Sequence, residues 1–194
     1  MINHLRGKLV EKNPTYAVVE CAGVGYFVNI SLQTFSALPD SESIHLYTHL
    51  IVKEDAHTLY GFHSQLEREV FRLLISVSGV GPSTGRMMIS SLEPKEIQQG
   101  IVDGDVGLIQ SVKGIGAKTA QRIILDLRDK IMKTYQMESE SLVTADLSSK
   151  EEALSALEVL GFNAKQSEKV IVKLLKEDPD LNVEQIIKKA LKTL

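Results

Sequence analysis

LLISVSGVGPST (residues 73–84) and LIQSVKGIGAKT (residues 108–119) are two copies of one unit in the same chain. Leu73 lies over Leu108, Ser76 over Ser111, Val77 over Val112, Gly79 and Gly81 over Gly114 and Gly116, and Thr84 over Thr119. One such glycine pair means little, but the same pair twice in matching surroundings is an internal repeat. Apolar residues at helical spacing precede each pair, in EREVFRLLISV and in VGLIQSV after Asp105 as an N-cap, and a second helical pattern follows each. The unit is helix, tight Gly-x-Gly hairpin, helix.

Glycines ahead of a helix leave backbone N–H groups open to an anion, where the helix dipole favours negative charge. A nucleotide-binding P-loop requires glycines at the positions held by Val112 and Ala117, although Lys118 and Thr119 match its end. A dinucleotide fingerprint requires a third glycine where Thr119 stands, and a strand where the pattern is helical. The remaining readings are a helix-capping turn made twice and a backbone cradle for phosphate. In the second reading the N–H groups of Gly81 to Thr84 and Gly116 to Thr119 face phosphates, and glycine permits close approach and positive φ. The candidate residues are Gly79, Gly81, Pro82, Ser83, Thr84 and Arg86 in the first hairpin, and Gly114, Gly116, Ala117, Lys118, Thr119 and Arg122 in the second. Two such cradles would grip both strands of one duplex without reading sequence, with affinity falling as salt rises.

Working outward, residues 1–63 alternate apolar and polar side chains between turn signals. Strands are expected over 4–10, 15–22, 25–31, 44–52 and 57–63, with a short helix over 33–39. Five short strands with one helical insert predict a small barrel of the oligonucleotide-binding type, a plain five-stranded sheet being the alternative. Residues 64–136 hold the tandem hairpins. The stretch MESESLVTADLSS (137–149) breaks the periodicity and is expected to be a flexible linker. Residues 150–194 predict three helices, N-capped by Ser148, Asn163 and Asn182, each followed by Glu or Gln three residues on, with Leu181 stapled against Ile186. Leu154, Leu157, Leu160, Val170, Leu174, Ile187 and Leu191 are the expected core.

The net charge of −3 hides its distribution. Residues 64–136 carry ten Lys and Arg against eight Asp and Glu, and this is the only net-basic region. A polyanion should meet the chain there. The single cysteine, Cys21, leaves no internal disulfide, and with neither a leader nor a membrane span in sight the expected compartment is the cytoplasm.

The hairpins SGVGPST and KGIGAKTA resemble helix-hairpin-helix DNA-binding motifs. Their setting, after GYFVNIS and EDAHTLYGF and before a tail with ALEVLGF, resembles the RuvA family end to end. That resemblance implies Holliday-junction binding in DNA recombination and repair, including the SOS response to DNA damage. It implies a homotetramer, an octamer being possible, that holds the four-way junction open while the RuvB ATPase drives branch migration in cooperation with the RuvC endonuclease. It joins a reading of the residues in which no catalytic constellation stands out and no cofactor is expected. It turns Glu54 and Asp55, otherwise a solvated acidic turn, into a pin that repels phosphates at the crossover. It also makes the tail a motor-docking domain, with Leu157, Leu160 and Phe162 as the RuvB contact. Where the family commonly has lysine after Gly-x-Gly-Pro, this chain has Ser83, so that either Arg86 supplies the charge or the first hairpin relies on backbone alone.

The histidines (His4, His45, His49, His57, His63) all lie in the strand region; His45 and His49 share a face without a third ligand at metal spacing. Ser78-Gly79 lacks the preceding glycine of a nucleophile elbow. Two other classes stay open on the residues alone: a repair nuclease or glycosylase gripping DNA through the hairpins, and a scaffold in which both loops are only turns.

Overall fold

A computed structural model describes residues 1–39, 43–140, 145–178 and 181–194. The alternating N-terminal pattern forms β1 (His4–Asn13), β2 (Tyr16–Cys21), β3 (Val24–Ile30), α1 (Leu32–Ala37), β4 (Ser43–Val52) and β5 (His57–Phe62). The strands close a barrel in the order β1-β2-β3-β5-β4, so the barrel expectation holds over the plain sheet. All neighbours are antiparallel except β3 and β5, which pair Val28 with Leu59 and Ile30 with Gly61 in parallel. Inward residues such as Leu5, Val19, Val28, Ile30 and Leu46 fill it at the period of two expected of strands. Ser31 caps α1, its side chain accepting from the Thr34 N–H.

The helical region contains α2 (Gln65–Ile75), α3 (Pro82–Ser91), α4 (Pro94–Asp103), α5 (Val106–Gln110) and α6 (Ala117–Glu140). Asp105 caps α5 by accepting from the Leu108 N–H. Tyr60 and Phe62 of β5 stack around Phe71 of α2, with ring centroids 5.1 and 5.0 Å away, and belong to the helical core. Barrel and hairpins therefore form one compact unit, Met1–Met132.

Their joint is polar as well as apolar. Glu67, fully buried on α2, accepts from the hydroxyls of Ser31 and Thr34 and from the His63 N–H, and its Oε2 lies 2.9 Å from His63 Nδ1. A buried carboxylate is tolerated only when its oxygens are this fully bonded. The Ser64-to-Glu67 spacing is a capping-box pattern, and Ser64 does cap α2; the Glu67 side chain turns to the barrel instead.

The second unit holds α7 (Ala145–Val159), α8 (Ala164–Glu177) and α9 (Val183–Ala190). Residues 137–140 continue α6 and 145–149 already belong to α7, so that helix begins ahead of Ser148; residues 141–144 of the expected linker lie outside the described residues. Asn163 and Asn182 cap as expected, the latter in a reciprocal pair with Gln185. The core gathers Ala153, Leu157, Ile171, Leu181, Ile186 and Ala190, with Leu154, Val170, Leu174 and Ile187 packed against it. Leu160 and Leu191 are exposed, contrary to expectation, and Ile171 takes a place the pattern did not assign.

Candidate nucleic-acid interface

The duplication read in the sequence persists in the hydrogen bonds. Val80 N–H donates to Val77 O at 3.0 Å and Ile115 N–H to Val112 O at 3.1 Å; Gly85 N–H donates to Gly81 O at 2.9 Å and Ala120 N–H to Gly116 O at 3.0 Å. The Ser76 and Ser111 hydroxyls donate back to Leu73 O and Leu108 O, each at 2.7 Å. Val77, Val80, Val112 and Ile115 are buried in the helical core and anchor the two loops alike.

The glycines divide into two kinds. Gly79 (φ 92°) and Gly114 (φ 90°) are left-handed, a conformation side chains disfavour, and they make the turn. Gly81 is extended (φ −83°, ψ 168°), and a Cβ at Gly81 or at Gly116 would meet no heavy atom within 4 Å. Packing requires no glycine at either place. Its effect is outward: the approach to the N–H groups opening α3 and α6 is left bare. In the first hairpin those donors belong to Gly81, Ser83 and Thr84, ahead of the first helical bond; Pro82 has no N–H, so this cradle has one donor fewer than the span Gly81 to Thr84 suggests.

Gly81, Ser83, Gly116, Ala117 and Lys118 are exposed, and Pro82, Thr84 and Thr119 are half-buried. Arg122, on the first turns of α6, donates from Nη1 to Ser78 O at 3.3 Å, which brings the second hairpin's helix against the first hairpin's loop. Arg86 has partners within the chain: its Nη1 donates to Thr15 O at 3.0 Å and to Asn29 Oδ1 at 3.1 Å, both on the barrel side. Lys113, beside Gly114 and exposed, was not among the expected residues; the repeat places it opposite Ser78, so comparing the copies for charge would have found it.

Glu54 and Asp55 are exposed at the tip between β4 and β5, closed by Lys53 N–H donating to Ala56 O at 2.9 Å. His45 and His49 share a face of β4 but face structural neighbours. The His45 ring lies 5.3 Å from that of His4 and edge-on to Tyr47; His49 packs on Phe71 and accepts from Arg72 Nε at Nδ1. Burial, with Arg72 and Arg68 nearby, holds the His49 pKa below its ordinary value.

In the second unit Gly161 (φ 93°) ends α7 with Phe162 N–H donating to Leu157 O and Gly161 N–H to Glu158 O. This reverse cap folds Phe162 back beside Leu157 in the core and turns the residues between them outward. Leu157 is fully buried and cannot touch a partner, a correction to its expected contact role. Leu160 is exposed, and so is Val159, at 86%, which the sequence reading passed over.

Three family models cover most of the chain. Residues 1–61 match the RuvA N terminal domain, residues 71–129 the SAM-like helix-hairpin-helix tandem, and residues 148–194 the RuvA C-terminal domain. Proteins named Holliday junction branch migration complex subunit RuvA are similar to this chain over the whole of both sequences: 63% identical in Christiangramia forsetii, 56% in Flavobacterium psychrophilum and 48% in Bacteroides thetaiotaomicron.

Proposed function

The chain belongs to the RuvA family, and on that footing we propose that it binds Holliday junctions by shape and backbone, as the DNA-binding subunit of a branch migration complex whose ATPase is RuvB. The observation that carries this reading is the pair of adjacent hairpins with bare glycines, Gly81 and Gly116, over the starts of α3 and α6. Backbone donors aimed at phosphates hold DNA without reading bases. Gly79, Gly114, Ser83, Thr84, Ala117, Thr119 and the Pro82 ring shape the two cradles. Lys118, Lys113 and Arg122 add the charge.

A four-way junction has a centre and four arms, so a homotetramer, with an octamer as a further state, fits its symmetry. In such a ring Glu54 and Asp55 would gather at the crossover and repel phosphates as strands part. The second unit would dock on RuvB through Leu160 and Val159, with Phe162 setting the shape of that corner. RuvC would act on the junction so held, in the cytoplasm.

The test is competition between a synthetic four-way junction and a linear duplex of the same arm sequence, at two salt concentrations without ATP. Preference for the junction, with affinity falling as salt rises, is the expected result. Equal affinity for the two DNAs would reduce the chain to a general duplex binder.

A further inference from the structure

The helix that follows the first hairpin turn is tied to the barrel by polar bonds, one of them from an arginine. Arg86 lies one turn into α3, the helix whose start forms the first cradle. Its Nη1 donates to Thr15 O at 3.0 Å, just before β2, and to Asn29 Oδ1 at 3.1 Å on β3. The Asn29 amide is oriented from the other side, its Nδ2 donating to Leu59 O at 3.3 Å, which leaves Oδ1 to face the guanidinium. Thr15 O also accepts from the Ile30 N–H at 3.1 Å, so the arginine ties into the ladder itself. One turn further along α3, Ser90 Oγ accepts from the Leu32 N–H at 3.2 Å and donates to Arg86 O at 2.8 Å. The helix is thus pinned to the barrel at two heights, once through a charged donor. Charge-assisted bonds are the stronger and more directional kind.

We propose that Arg86 is a positioning residue for junction recognition: it registers the first hairpin against the barrel through Asn29 and Thr15, and contacts no phosphate. The consequence is selective. A linear duplex needs only the hairpins, whereas a junction must be met at its crossover and along its arms at once, so loss of register weakens junction binding first. This rests on the junction-binding reading above.

The test uses the full chain with Arg86→Gln, Arg86→Lys and Asn29→Ala, binding junction and linear duplex at four salt concentrations. Asn29 carries no charge, so an effect there cannot come from a lost counter-charge, and the salt slope should not register it. The expected result is that Arg86→Gln and Asn29→Ala each lower the junction-over-duplex ratio by roughly tenfold, the scale of one lost bond to a charged group. The salt slope on duplex should stay unchanged, and Arg86→Lys should recover part of the ratio. The idea is overturned if Arg86→Gln reduces that slope by about 0.9, one neutralised phosphate, or if Asn29→Ala behaves as the unmodified chain. If Arg86→Gln does not fold, Asn29→Ala decides alone. An unmodified chain with no junction preference would strike the functional reading instead; the register claim would then be judged by whether Asn29→Ala and Arg86→Gln lower the unfolding midpoint together and non-additively, additive effects overturning it.

Discussion

Gly79 and Gly81 stand two residues apart and are glycines for opposite reasons. The first holds φ 92° and serves the turn; the second is extended with empty space where a Cβ would go. Gly79→Ala should therefore cost about 1 to 2 kcal/mol of stability. Gly81→Ala and Gly116→Ala should leave the thermal midpoint nearly unmoved and weaken DNA binding by roughly tenfold, since the methyl stands in the approach to the N–H groups. Thermal melts beside gel shifts separate the two kinds; weakened folding in Gly81→Ala with intact binding would put the glycine back inside the protein. The repeat made all four glycines legible in the sequence but not their division, because φ and empty space are properties of the folded loop. The bonds of Arg86 were not legible for a related reason. Its partners lie 57 and 71 residues away, and only barrel closure brings them to it.

At the scale of elements, the strands and hairpin helices were legible because burial on one face imposes a period, and caps such as Asp105, Asn163 and Asn182 are local chemistry. The contact between barrel and helices was not, since a domain boundary at residue 63 splits what the structure joins: Tyr60 and Phe62 pack under α2, and Glu67 binds back to Ser31 and Thr34. The start of α7 was missed because Ser148 and Glu151 imitate a cap inside a longer helix. The joint predicts a pH effect. His49 sits between β4 and α2, and burial first, then Arg72 and Arg68, lowers its pKa in the folded chain. The unfolded chain then binds more protons below about pH 6.5, so stability should be full above that value and decline as pH falls through it. His45, lowered by burial and by His4 and Arg6, adds to the same trend. Denaturant midpoints at pH 8 and pH 5.5 measure the decline, which His49→Gln should make shallower; an unchanged difference between the two pH values would remove His49 from the account.

At the scale of the molecule, the roles proposed above fall on different units. The unit Met1–Met132 contains both the acidic tip and the hairpins; the unit from Lys133 contains the exposed Val159 and Leu160. The tip should govern migration without holding DNA. Glu54→Gln with Asp55→Asn removes two charges that would repel phosphate, so junction affinity should stay or rise while RuvB-driven migration changes. Unaltered migration would leave the pair as a solvated turn. The tail should do the reverse. A chain ending at Tyr135 keeps the whole first unit, with its barrel, its buried Glu67 joint and both hairpins. It should bind a four-way junction within about twofold of the full chain, a difference of under ~0.5 kcal/mol, and fail to stimulate the RuvB ATPase on that junction. Val159→Ser with Leu160→Ser in the full chain should reproduce the second defect alone, since both side chains are exposed and their loss leaves the Leu157 and Phe162 packing in place. If the truncated chain binds the junction tenfold more weakly, residues after Tyr135 take part in holding DNA, and the division of labour between the units fails.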